Sequence, residues 1–206
     1  MMKTIKDKQV LVAADRAGVP LKDAVVEYLS LKGWTVTDIG VKSVKDEKPE
    51  MFHRVGLRAG AKIAEGEFER ALLFCGTGMG IHLAASKCPH VYCAVAESVP
   101  AALRAVCGNG ANILAMGAWY VAPQMGIEMA TAFLEHNMGD GYETLNGFYD
   151  FHKLAKDELD AFNYEEFKKN NFEVKKLGEV EYNPPKFRDP AKHNSPDKVQ
   201  EKGKHV

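Results

Sequence analysis

The chain has 206 residues, four cysteines and a formal charge of −1, which suits one sizeable α/β domain with an appendage. So small a charge supplies no field for gathering nucleic acid or an anionic membrane, and no stretch approaches the ~20 apolar residues that cross a bilayer. Cys75, Cys88, Cys93 and Cys107 form no C-x-x-C pair, and the opening MMKTIKDKQVLVAAD lacks the apolar core of a signal peptide, so a reducing cytoplasm and a small-molecule partner are expected.

The first β-branched run, QVLVAAD (9–15), predicts a strand ending on Asp15-Arg16-Ala17-Gly18. LKDAVVEYLSLKG follows, with Leu21, Val25, Tyr28 and Leu29 on one helical face, Pro20 at its start and Gly33 at its end; both residues suit those positions. Strand TVTDIG (35–40) leads to helix FHRVGLRAGAKIAEGE (52–67), and strand ALLFCG (71–76) runs into Thr77-Gly78-Met79-Gly80. Strand VYCAVAE (91–97), strand ANILAMG (111–117) and helix PQMGIEMATAFLEHN (123–137) complete the alternation.

Short strands alternating with amphipathic helices specify parallel βαβ units. Right-handed crossovers then give a three-layer α/β/α sandwich around a parallel five-stranded sheet. The character changes near residue 140, so a domain is drawn over 1–140 and a C-terminal extension over 141–206. In the extension KLAKDELDAFNYEEFKKN predicts one further helix. The Pro-rich end, with Tyr182, Pro184, Pro185 and Phe187, is either a disordered tail or an arm on a partner subunit.

Ligands of an open parallel sheet bind beyond the carboxyl ends of its strands. Three turns stand out on that rule: Asp15 to Gly18, Cys75 to Gly80, and the helix-to-strand turn from Cys107 to Asn112. In the second, Gly76, Gly78 and Gly80 let backbone approach a ligand, and the loop opens a helix, so several N–H groups converge where an anion fits. A cysteine there has its thiolate stabilised and serves as a base or nucleophile. The alternatives are a tight turn with an inert cysteine, or a dinucleotide loop, although that fingerprint needs G-x-G-x-x-G after the first strand.

CGTGMGIHLAASKCPHVYCAVAE followed by NGANILAMGA resembles the central block of type B ribose-5-phosphate isomerases and galactose-6-phosphate isomerases, where C-G-T-G-x-G precedes A-A-N-K-x-P-G and H-N-x-x-N-x-L-x-x-G. The likeness covers roughly residues 9–137. It implies a Rossmann-like domain, aldose–ketose isomerisation of a sugar or sugar phosphate, no metal or organic cofactor, and a homodimer, or a higher assembly, with pockets at the subunit interface. By the same likeness Cys75 is the base that carries a proton between two substrate carbons, through an enediolate. Asp15 binds substrate hydroxyls, and the amides around Gly76, Gly78 and Gly80, with Thr77 and Asn109, stabilise the enediolate. Epimerisation on the same scaffold, or a dimeric sugar-phosphate-binding module without turnover, are the competing functions.

The departures from that family pattern bear on the substrate. Asp15-Arg16 stands for Asp-His, Gly108-Asn109 for the ring-opening His-Asn, and Trp119 for an arginine after the last strand. The phosphate-holding arginines have no counterpart around GDGYETLNG (139–147). Without a ring-opening histidine, a short open-chain sugar phosphate is the expected substrate, with Arg16 either helping to hold its anion or forming a surface ion pair; a six-carbon or unphosphorylated sugar is the alternative if His82 or His53 takes over ring opening. His82, just after the glycine loop, is either a second acid/base or a solvent-facing helix residue. His53 opens a helix in a region that borders the pocket in this fold, or has no functional role; Lys87 matches the lysine of the family's N-K pair and either has a direct role or is solvated; and Cys88, Cys93 and Cys107 are expected to be buried small apolar residues.

Overall fold

The computed structural model of the chain describes residues 1–182. The expected arm or tail from 183 to 206, with Pro184, Pro185 and Phe187, lies outside the described residues. Five strands, β1 (Gln9–Ala14), β2 (Thr35–Asp38), β3 (Ala71–Cys75), β4 (Cys93–Val95) and β5 (Ile113–Gly117), pair in parallel in the order β2-β1-β3-β5-β4. The helices are α1 (Val19–Leu31), α2 (Phe52–Ala64), α3 (Met79–Ala85), α4 (Val99–Cys107), α5 (Pro123–Leu134), α6 (Phe148–Asp160) and α7 (Tyr164–Lys169).

This strand order dictates which face each helix covers. The steps β1 to β2 and β4 to β5 run toward one edge, and β2 to β3 and β3 to β4 run toward the other. With right-handed crossovers, opposite steps place their helices on opposite faces. Accordingly Val10, Val12 and Phe74 bury with α1, α4 and α5, while Leu11, Ala13 and Cys75 bury with α2 and α3. The alternation along β1 and β3 is the period of two of a strand, and burial on both faces explains why these strands read as continuous apolar runs.

Three expectations are corrected. The fourth strand is three residues long rather than seven, because it is an edge strand paired only with β5 and the Tyr92 amide is taken by Asn112 Oδ1 at 2.8 Å. The second strand stops at Asp38 because Gly40 turns against β1, where a Cβ would stand 2.2 Å from the Ala14 nitrogen. The single helix expected over 153–170 is two, α6 and α7. They break at Asn163, whose Oδ1 accepts the amides of Glu165 and Glu166 at 3.0 and 3.1 Å and so caps α7.

Two charged residues not singled out in the sequence hold the frame. Arg70 is buried and donates to the carbonyls of Phe133 at 2.7 Å and His136 at 3.3 Å, placing a cation on the carbonyl end of α5. Lys22 is buried in α1 and donates to Asp38 Oδ2 at 2.8 Å and to the Val41 carbonyl at 3.0 Å. It thereby fixes the chain leaving β2, which passes beside the carboxyl end of β1.

Candidate active site

The chain leaves β1 toward one edge of the sheet and β3 toward the other, so the crevice of the fold opens beyond the adjacent ends of β1 and β3. Asp15 follows β1, and its amide donates to the Phe74 carbonyl at 3.2 Å. Gly18 brings this turn down onto β3, since a Cβ there would lie 2.3 Å from the Phe74 carbonyl carbon. Asp15 Oδ1 accepts the Gly18 amide at 2.9 Å. Burial raises the Asp15 carboxyl above the ordinary carboxylate value, against the opposing pull of the Gly18 and Ala17 amides.

Cys75 closes β3 and is buried on the α2/α3 side. Its Sγ accepts the Gly78 amide at 3.1 Å. Gly78 makes this contact from the left-handed region, at φ 78°, where a side chain is strained, and a Cβ there would also press on the β5 backbone at 3.1 Å. Thr77 Oγ1 accepts the Met79 amide at 3.3 Å at the opening of α3. Among the described residues no acceptor is found for the amides of Gly76, Thr77 and Gly80.

Gly76 and Gly80 do more than free their amides. The space a Cβ of Gly76 would fill is taken by the Trp119 indole, 2.8 Å away, and that of Gly80 by the Phe52 ring, 2.6 Å away. The two outer glycines therefore receive aromatic side chains from elsewhere in the chain. The sequence alone suggested only ligand approach.

Arg16 is exposed beside Asp15 and its guanidinium is bound to the carbonyl of Asp46 in the loop after β2. His82 is half-buried in α3, with no hydrogen bond to its ring among the described residues. His53 stands edge-on to Phe52 with ring centroids 5.4 Å apart, next to the glycine loop. Lys87 is exposed just past α3. Asn109 is not brought to the others. The turn from Cys107 to Asn112 precedes β5 and so lies at the amino ends of the strands, separated from Cys75 by the length of β5, roughly 15 Å at strand spacing. Taking that turn as a strand's carboxyl end was an error of topology: a helix-to-strand turn in a parallel sheet sits on the edge remote from the site.

The place of the ring-opening histidine is not empty. A Cβ on Gly108 would lie 2.7 Å from Arg104 Nε, and that guanidinium stands 4.9 Å from the centroids of both Tyr142 and Phe148. Arg104 is one helical turn before Gly108, a neighbourhood readable from i and i+4 spacing. Of the other thiols Cys107 is buried as expected, whereas Cys88 and Cys93 are only partly buried; desolvation pushes Cys93 up to about 12 and raises Cys88 and Cys107 as well.

The Asp15 carboxylate suits a binding role at a cost in stability. Asp15→Asn is expected to raise Tm near neutral pH while weakening turnover, since the carboxyl is raised in the folded state and its charged form opposes folding. The gain should shrink as pH falls through that raised value, where the wild-type group takes up a proton. Melting curves of both proteins from about pH 7 to about pH 4 read the difference.

Comparison with known proteins gives these observations a family setting. The family described as Ribose/Galactose Isomerase matches residues 10–146. The chain is 41% identical to the 4-deoxy-4-sulfo-D-erythrose isomerase of Clostridium sp. (strain MSTE9), over 74% of this chain and 94% of the relative. It is 34% identical to D-erythrulose-4-phosphate isomerase 2 of Mycolicibacterium smegmatis, over 64% of this chain and 84% of the relative. A solved structure of ribose-5-phosphate isomerase B from Clostridium thermocellum superposes with a TM-score of 0.60 at 26% identity, covering 72% of this chain and 98% of that one.

Proposed function

The chain belongs to the ribose/galactose isomerase family, and from that premise we propose that it interconverts a four-carbon aldose and ketose bearing a terminal phosphate or sulfonate. The observation that carries this reading is Cys75 at the crevice end of β3 with the Gly78 amide on its sulfur. Cys75 takes the proton beside the substrate carbonyl and returns it to the adjacent carbon, and the charge that develops is an enediolate oxygen. The amide on sulfur strengthens as the sulfur becomes an anion. The amides of Gly76, Thr77 and Gly80 receive the enediolate, a service worth about 3–4 kcal/mol per aimed donor. Asp15 accepts from substrate hydroxyls, and Arg16 faces the anion. His82 is the second acid/base of this site.

Gly108 supports the choice of four carbons. An aldopentose 5-phosphate closes into a furanose through its 4-hydroxyl and needs an acid/base to open it. A tetrulose with its terminal position occupied by an anionic group stays open, so glycine suffices there. Both relatives quoted above carry names of four-carbon substrates. The test is kcat/KM on erythrulose 4-phosphate, its 4-sulfo-4-deoxy analogue, ribose 5-phosphate and galactose 6-phosphate. A preference for either larger sugar would discard the reading.

The working unit in this reading is a homodimer in which 1–140 is the catalytic domain and 141–206 an extension. Asn109 reaches a Cys75 site only from a second copy, since it lies on the far edge of its own sheet. Trp119, Tyr120, Met79 and Leu83 are exposed apolar side chains around or beside the glycine loop, more than a monomer usually leaves open in one region. Sedimentation equilibrium should give twice the 22.7 kDa chain mass. Full activity in a micromolar monomer would remove the shared pocket. No helix among the described residues is long and apolar enough to cross a membrane, and a cytoplasmic setting is part of the proposal.

A further inference from the structure

We infer that Trp119 is the specificity residue that limits the length of the sugar chain accepted over Cys75. The inference rests on the isomerase reading above and adds to it the wall of the pocket. The amide of Ala118 donates to the Cys75 carbonyl, and that of Trp119 to the Gly76 carbonyl, both at 2.9 Å. The backbone carrying the indole is thus tied along the loop that carries the base. The ring itself lies on Gly76, 2.8 Å from where a Cβ would stand, so Gly76 is the residue type that lets the ring settle there. In the single chain 70% of Trp119 remains exposed, so the ring keeps a face free to border a pocket shared with a second copy.

The crevice beyond β3 lies between the chain leaving β1 at Asp15 and the chain leaving β5, which carries Trp119. Those two strands flank β3, each about 4.8 Å from it, so their backbones are about 10 Å apart. An indole on one side of so narrow an opening takes up room that a longer substrate needs. It also offers no cation. A rigid apolar wall with two side-chain torsions excludes an additional CHOH group by its volume, and it leaves that hydroxyl without a partner. A single added or missing carbon in an apolar pocket is worth about 10–200-fold in kcat/KM, enough to set the preference.

The experiment compares wild type, Trp119→Ala and Trp119→Phe on erythrulose 4-phosphate and ribulose 5-phosphate, with sedimentation of each variant to establish that its assembly is unchanged. The ratio of the two kcat/KM values should favour the four-carbon substrate in the wild type. It should narrow by at least about 10-fold in the alanine variant, mainly through a lower KM for the five-carbon ketose, with phenylalanine between. In parallel, Trp34→Phe leaves Trp119 as the lone tryptophan, since the chain has two. Its fluorescence should change on adding erythritol 4-phosphate, an unreactive open-chain analogue, and change less with ribitol 5-phosphate at equal concentration. Turnover with an unaltered substrate ratio in both variants, or fluorescence blind to erythritol 4-phosphate in an active enzyme, would overturn the role of Trp119 alone. Neither turnover nor analogue binding by the wild type would overturn the isomerase reading itself and this inference with it.

Discussion

Cys75→Ser is expected to lower kcat on a four-carbon sugar phosphate by two to four orders of magnitude, the usual contribution of a positioned acid/base, while KM stays within a few-fold. The split follows from where the residue sits. Cys75 is the last residue of β3 and its sulfur is held by one amide from Gly78 at 3.1 Å, so an oxygen of similar position keeps the fold and the loop. What it loses is the sulfur that carries the proton between the two carbons in the proposed mechanism. The substrate contacts proposed for Asp15, Arg16 and the loop amides are untouched, and binding of an unreactive polyol phosphate should be near that of the wild type. Near-native kcat in the serine protein would move the base elsewhere, with His82 the first residue to test.

Asp38→Ala is expected to destabilise the domain by about 3 kcal/mol, because removing one partner of a buried pair leaves the other charge uncompensated. The Lys22 side chain is 3% exposed with its Nζ 2.8 Å from Asp38 Oδ2, and its other carboxylate neighbour, Asp23 at 3.2 Å, is largely in solvent. At this chain length the loss corresponds to a fall of about 6–12 °C in Tm. Burial works to raise the Asp38 carboxyl, but the bonds from Lys22, the Gly40 amide and Lys42 outweigh it and hold the group below the ordinary carboxylate value. Its contribution is therefore complete above that ordinary value and is lost as pH falls through the lowered one. The stability gap between wild type and variant should close on acidification, read by thermal melts across that range. An unchanged Tm at neutral pH would mean that Asp23 alone compensates Lys22.

The two predictions concern parts of the molecule that differed in how plainly the sequence announced them. β1, β3 and β5 were legible because strands buried on both faces must be apolar throughout, and Asp15 and Cys75 were legible as the residues at their carboxyl ends. The edge strand β4 was overread: its apolar run VYCAVAE does not show that it has one neighbour only, or that Asn112 takes its Tyr92 amide. The turn holding Asn109 was grouped with the strand ends although a helix-to-strand turn lies on the far edge of its own sheet, so Asn109 belongs to a Cys75 site only across a subunit interface. Trp119 on Gly76 and Phe52 on Gly80 were beyond sequence reasoning, since each contact joins segments that only the packed sheet brings together. Arg70 and Lys22 were passed over for a related reason. A buried cation looks like any surface lysine or arginine until its carbonyl and carboxylate partners are located.

The central claim is that Cys75 moves a carbon-bound proton of a four-carbon sugar through an enediolate. Its most direct measurement is NMR of erythrulose 4-phosphate incubated in deuterated water with wild type or with the serine variant. Wild type should place deuterium on the carbon beside the carbonyl as aldose forms, because the proton on a single base exchanges with solvent during the enediolate's lifetime, and Cys75→Ser should place it two to four orders of magnitude more slowly. Deuterium incorporated at equal rates by both proteins would contradict the account.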